Sequence, residues 1–432
     1  MITRIYISGY KSLREAEIRE LSRLVVLFGP NAAGKSNFLD ALDLLAHLAG
    51  DDTIAAAFHR HRGNRQERPS PIQWFFHGFD GPEPENELIF EVDLDLHGRI
   101  MDQLNHELES REQEVALKRP YTRVTRSKLR YRLILRYSKA ARSLNVHHES
   151  LVPLRKDGTP HESITPYIRH DEESGRISVK LERQAHPRFY DLPRRRTLLS
   201  EIGDAVNHPH LVAVARELRS LRVYYVEPLR MRESVNDVEA TDPGSHGENL
   251  ASFYHWLRRE HDLEFRNLIH NLGRIVPGIR ELSVKEGVEG FLELWISEAN
   301  RGEFPAALVS EGTLRLLCVL GIAATPAPPA LVGYEEPENG VNPARLREML
   351  SILENAADSE VGTQFILTTH SPAVIDSLHR AVKILCEQDD EGSRYTQLKE
   401  PLFERGDVDR TLGVGPRQAS PIGTRFARGD FG

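Results

Sequence analysis

The sequence predicts an α/β fold: a mixed, mostly parallel sheet joined to an antiparallel β subdomain and a helical insertion. Three observations predict it. A continuous apolar run, Leu24-Val25-Val26-Leu27-Phe28, ends at a glycine-rich turn, and Phe38, Leu42, Leu45 and Leu48 then follow at helical spacing. From residue 285 onward strands and helices alternate, which favours parallel pairing. Between these regions two segments alternate with period two, as strands with one wet face do.

The elements follow in order. Ile5, Tyr6 and Ile7 belong to a first strand, and Leu24–Phe28 suits a buried central one. Residues 51–86 carry Gly, Pro and Arg without periodicity and read as irregular. In Glu87–Leu96 the apolar Leu88, Phe90, Val92, Leu94 and Leu96 oppose Glu87, Glu91, Asp93 and Asp95. In Lys128–Tyr137, Leu129, Tyr131, Leu133, Leu135 and Tyr137 oppose Lys128, Arg130, Arg132 and Arg136. An acidic face beside a basic one makes favourable cross-strand pairs, so these strands are expected to be neighbours. Residues 101–118 and 208–221 read as helices, and Arg176–Leu181 and Val223–Val226 as strands. Phe291–Ile296, Leu331–Tyr334, Phe365–Thr368 and Val382–Leu385 complete the strands. Glu311–Ala324 is an almost wholly apolar helix stopped by Pro326, Pro328 and Pro329. A further helix starts with Asn342 as cap and Pro343 at its first position, and a short one spans Pro372–Leu378.

Composition bounds the function classes. The chain has 432 residues, 40% apolar and 28% charged, with a net charge of −8. These values are ordinary for a soluble globular protein and argue against an overall basic coat for nucleic acid. No apolar run approaches the roughly 18–20 residues that cross a bilayer, so no membrane partner is expected. Met1–Leu13 lacks the layout of a secretion signal. The two cysteines, Cys318 and Cys386, sit in apolar stretches and read as buried thiols in a cytoplasmic protein.

Four short segments carry chemistry. Gly29-Pro30-Asn31-Ala32-Ala33-Gly34-Lys35-Ser36 is a full G-x-x-x-x-G-K-S between an apolar strand and a helix. Such a loop wraps phosphates with backbone N–H groups and a helix N-terminus. Lys35 would neutralise the β- and γ-phosphates, and Ser36 would ligate Mg²⁺. Asn31, Ala32, Ala33 and Asn37 complete the cradle. Leu331–Glu338 is an apolar strand ending in acids, placing Glu335 for the metal and Glu336 for the attacking water. His370 follows a third strand and could hydrogen-bond the γ-phosphate or that water. Ser310 and Gly312 open the buried helix, making a second anion site at a helix N-terminus.

The order of P-loop, serine–glycine segment, acidic strand end and histidine resembles an ABC-type ATPase head, a P-loop NTPase fold. Within it the SMC/RecF-like branch is closer. Ile7-Ser8-Gly9-Tyr10-Lys11-Ser12-Leu13 and the Glu-Glu-Pro-Glu strand end are similar to those of bacterial OLD-like and RecF-like ATPases. The likeness covers residues 1–50 and 245–385. It implies ATP and Mg²⁺ as cofactors and a homodimer formed on ATP binding, with Ser310 and Gly312 closing over the partner copy's nucleotide. DNA and a separately encoded effector protein are the further partners it suggests, in repair or anti-phage defence. Too few residues follow His370 for the OLD nuclease domain, so none is expected in this chain. A nucleotide-gated interaction protein with little turnover is the alternative. Where the family has Asp on the metal side this chain has Glu335; its extra methylene moves the carboxylate about 1.5 Å, so Mg²⁺ is expected through water. The expected organisation is 1–50 and 241–400 as two parts of the head, 51–240 as the inserted antiparallel β and helical region, and 401–432 as a loosely ordered tail.

Most other features read as surface. Residues 116–146 hold many Lys and Arg, interleaved with Tyr121, Tyr131 and Tyr137, and no Asp or Glu. Such a run tracks a phosphate backbone or blunts an edge strand, and the second is the plainer reading. Arg194-Arg195-Arg196 and Gln73 (a glutamine-loop candidate) read as surface, Arg230 is a candidate to face the nucleotide, and His59-x-His61 and His147-His148-Glu149 lack a full local ligand set.

Overall fold

The computed structural model describes the chain apart from residues 52, 61–70, 80–85, 116–119, 172, 185, 237, 288–289, 360–361, 391, 399–420, 430 and 432. Three sheets organise it. A six-stranded sheet runs, in spatial order, Arg222–Tyr224, Leu331–Glu335, Gln364–Thr369, Leu24–Phe28, Val382–Asp389 and Gly392–Leu398. The first five strands are parallel and the last turns back antiparallel. The central strand Leu24–Phe28 is buried on both faces, which is why it reads as a continuous apolar run. Val25 and Leu27 enter one core, with Ile366, Ile384 and the helix Lys35–Gly50. Leu24, Val26 and Phe28 enter the other, with Phe365, Leu367 and the helix Glu311–Ala324. Cys318 and Cys386 are buried free thiols, as expected.

The antiparallel subdomain is an eight-stranded sheet that begins with Leu13–Ile18 and Ile2–Tyr10 and continues through Glu87–Asp95, Lys128–Ser138 and Ser143–Pro153 to three short strands ending at Asp191. Residues of 1–50 and of 51–240 therefore share one sheet. Glu87–Asp95 and Lys128–Ser138 are neighbours, with Glu87 opposite Arg136, Glu91 opposite Arg132 and Asp93 opposite Arg130. Arg130 grips Asp93 with two nitrogens at 2.6 and 2.8 Å, and Arg132 reaches Glu91 at 2.6 Å. Each such pair adds roughly 0.2–1 kcal/mol. Arg130, Arg132 and Arg136 of the run read as a phosphate-tracking candidate are thus paired with acids within the sheet, and Tyr131 is buried. Lys118 and Arg119 of that run lie outside the described residues.

The helix expected at 101–118 spans Gly98–Val115, and Leu250–Glu260 and Asp262–Ile275 add two helices beside a smaller antiparallel sheet around Phe291–Glu298. Within the segment read as a loose tail, Ile422–Ala427 is a helix whose Gly423 N–H donates to Asp376 at 2.7 Å, and Phe426 packs on Phe28. Most of the rest of that segment lies outside the described residues.

One buried acid sets a pH dependence. Glu149 is enclosed, accepting from the Tyr131 hydroxyl at 3.0 Å and from the Leu198 N–H at 2.8 and 2.9 Å. Burial pushes its pKa up to about 7, against the pull of those donors. The folded value lies above the unfolded one, so this group's stabilising contribution is complete below about pH 4.5 and is lost as pH rises through 7. Between pH 5 and 8 the wild-type chain is therefore expected to lose roughly 3 kcal/mol relative to Glu149→Gln. Thermal melts of both across that range check it; parallel profiles would refute it.

Candidate nucleotide-binding site

Three strand ends build the site. Thr369 lies opposite Phe28 and Glu335 opposite Thr368 in adjacent parallel strands. Gly29, Glu336 and His370 therefore leave the sheet at one carboxyl edge, where ligands bind in open α/β folds. Gly29 takes φ +156, and a Cβ there would stand 2.0 Å from the Cys386 carbonyl oxygen, so only glycine fits. Ala32 and Gly34 also lie at positive φ, curling the loop. Gly34 caps the helix Lys35–Gly50 with no side chain, which leaves its first N–H groups for an anion.

Lys35 is buried, its Nζ donating to the carbonyl oxygens of Gly29 and Pro30, both at 2.8 Å. Burial pushes its pKa down, while the carboxylates of Glu336, Glu338 and Glu335 pull it back up. Behind the loop, Asn37 Nδ2 donates to Ser12 Oγ at 2.8 Å, Ser393 Oγ bonds the same atom at 2.8 Å, and the Tyr395 hydroxyl donates to the Gly34 carbonyl at 2.9 Å. Lys11 and Tyr10 both reach the buried Asp40 on the helix. The Ile7–Leu13 segment thus backs the cradle.

Glu336 adopts φ +45, and its N–H donates to the Thr368 carbonyl at 3.0 Å. One of its carboxylate oxygens faces His370 Nδ1 at 3.2 Å and the other accepts from Asn339 Nδ2 at 2.7 Å. Ser36 is the second residue of its helix and Glu335 the last of its strand, both partly exposed. A hydroxyl and a carboxylate beside a phosphate cradle are the oxygen donors that Mg²⁺ takes, so the residues fit that ion. Glu338 and Asn339 are site residues that reading the sequence missed; the third acid of Glu-Glu-Pro-Glu was the available signal.

The fourth segment opens another helix. Ser310 caps the helix Glu311–Ala324, accepting from the Thr313 N–H at 3.4 Å. A Cβ on Gly312 would lie 2.6 Å from the Gly340 carbonyl oxygen, so this helix start is fitted against the turn that follows Glu338. Among the described residues no hydrogen bond joins Ser310 or Gly312 to residues 29–37. Ser310 is exposed, beside Leu308 at 72% exposure.

A family model described as "AAA domain, putative AbiEii toxin, Type IV TA system" matches residues 24–376. The chain belongs to this AAA family. The matched span holds the P-loop, the acidic strand end and His370, so the chain is a P-loop protein of the ATP-binding kind. Its fold is similar to that of a crystal structure of an Smc head bound to the C-winged helix domain of ScpA: 15% identity, 93% of this chain and 98% of the other covered, TM-score 0.53. The Smc head from Pyrococcus furiosus with an extended coiled coil, also bound to a ScpA domain, matches at 14% identity over 92% and 96% with TM-score 0.47. No curated protein matches the sequence.

In this AAA-family chain the weaker candidates are accounted for one by one. Gln73 is exposed in a short turn, and Arg230 pairs with Glu227 at 3.0 Å. His148 Nδ1 meets His170 Nδ1 at 2.7 Å, and Glu149 is enclosed as above. His59 is exposed and His61 lies outside the described residues. Among the described residues no group of three His, Cys, Asp or Glu is arranged to hold a metal. Arg194 pairs with Glu201 and covers the Tyr190 ring, while Arg195 and Arg196 are exposed. No described helix is long and apolar enough to cross a membrane.

Proposed function

We propose that the chain hydrolyses ATP to ADP and phosphate while the nucleotide holds two copies head to tail. The observation that carries this reading is the shared sheet edge, where the P-loop, Glu336 and His370 stand on three neighbouring strands. The helix N-terminus and Lys35 receive the phosphates. Ser36 and Glu335 would hold Mg²⁺, which supplies charge neutralisation when bound. Glu336 polarises the attacking water and accepts its proton, and His370 hydrogen-bonds the γ-phosphate. Ser310 and Gly312 meet the partner copy's nucleotide. The exposure of Ser310 and of Leu308 beside it supports that arrangement.

The pathway we infer is DNA repair or anti-phage defence in the cytoplasm, with a separate effector. The family description, which names a toxin of a toxin–antitoxin system, supports defence. A winged-helix partner on the similar Smc head supports a separately encoded protein. A nucleotide-gated scaffold with little turnover is the second reading, favoured by the engagement of both Glu336 oxygens by His370 and Asn339.

Steady-state hydrolysis across chain concentrations, with and without double-stranded DNA, tests the proposal. The rate per chain is expected to climb with concentration until dimers saturate. A rate independent of concentration would overturn the two-copy site, and tight ATP binding without turnover would establish the second reading.

A further inference from the structure

Glu338 Oε1 accepts the His370 backbone N–H at 3.2 Å and the Thr369 hydroxyl. Thr369 Oγ1 in turn accepts the Ser371 N–H at 2.9 Å. A carboxylate from one strand end thus laces the three residues that leave the next. Its side chain is only 8% exposed, and its second oxygen, Oε2, is buried with no hydrogen-bond partner among the described residues. A buried carboxylate oxygen without a donor is costly and uncommon, and such groups concentrate where function requires them.

The neighbours show what this carboxylate can do. His370 Nδ1 lies 3.2 Å from Glu336 and 3.8 Å from Glu338. The other Glu336 oxygen is taken by Asn339. Each Glu336 oxygen holds one protein donor and keeps one lone pair, so a water that is to claim an oxygen undivided competes with His370 or Asn339. Releasing His370 is least costly if its Nδ1–H has another acceptor at hand.

We propose that Glu338 is a positioning residue for His370: it fixes the turn from which the imidazole projects and receives the Nδ1–H when Glu336 turns to the attacking water. A carboxylate at Nδ1 keeps that nitrogen protonated and directs Nε2 outward to the phosphate edge. This inference rests on the hydrolytic reading above and assigns a task to a residue that reading does not use.

Glu338→Gln tests it. The amide keeps the size and one acceptor oxygen for the His370 N–H and the Thr369 hydroxyl, so a purely structural staple would survive. The expected result is an unchanged melting temperature, a KM for ATP within about twofold of wild type, and kcat lowered at least about tenfold. In a His370→Ala background the same change is expected to add no further loss, because the effect passes through His370. Wild-type kcat in Glu338→Gln, or an undiminished loss in the His370→Ala background, would overturn the inference. Should Glu338→Gln not be recovered folded, Glu338→Asp, which withdraws the carboxylate by one methylene, is judged by the same kcat and background criteria. Failure of the hydrolytic reading is separable: Glu336→Gln would then turn over ATP like wild type, which ends both.

Discussion

Lys35→Ala is expected to fold normally and to lose ATP affinity by at least about a hundredfold, close to 3 kcal/mol. Lys35 is the cation buried inside the loop, and its Nζ already lies within hydrogen-bond reach of two loop carbonyls. Three carboxylates, Glu335, Glu336 and Glu338, act on it electrostatically. Removing the ammonium leaves those negative charges facing a triphosphate, so attraction is exchanged for repulsion. Hydrogen bonds to a charged group are each worth roughly 1.5–3 kcal/mol, enough for the stated loss. The carbonyls of Gly29 and Pro30 lie beside an exposed stretch of loop, where water can replace the lost donor. Isothermal titration with ATP, paired with a thermal melt, makes the measurement. Binding within threefold of wild type would remove the P-loop from the argument.

Glu336→Gln is expected to bind ATP as wild type does, to lower kcat by roughly 10²–10⁴-fold, and to accumulate an ATP-bound dimer. Glutamine keeps the left-handed backbone position as well as glutamate does, and its amide oxygen still accepts from Asn339. What disappears is the carboxylate that takes the water's proton. Once hydrolysis stops, the state that holds two copies together persists. Light scattering on chromatographed protein with and without ATP reads the second effect. Wild-type turnover would show that the base lies elsewhere.

Much of the site was legible because its signals are local. A glycine pattern between an apolar strand and a helix, acids at a strand end and a histidine at another are each contained in a few residues. Their convergence depends only on parallel pairing, which the alternation of strands and helices announces. The charge-matched strands 87–95 and 128–138 were legible for the same reason. The Ser143–Pro153 strand was not. Its run of His147, His148 and Glu149 hides a buried acid whose donors come from residue 198, and its register against the neighbouring strand slips near Ile134. Glu338 escaped assignment because its role is written in Thr369 and His370, more than thirty positions away. Ser310 shows a different limit: it is an exposed cap of its own helix, and the task proposed for it requires a second copy.

The central strand has a consequence for how the polypeptide is made. Leu24–Phe28 finds its two neighbours only at 364–369 and 382–389, and the turn behind the phosphate loop is tied to Ser393. During synthesis the loop-bearing segment leaves the ribosome with both strand edges bare and waits until the strands at 364–369 and 382–389 have been made. A nascent molecule that has not yet released the segment through Ser393 therefore has no finished cradle for a nucleotide.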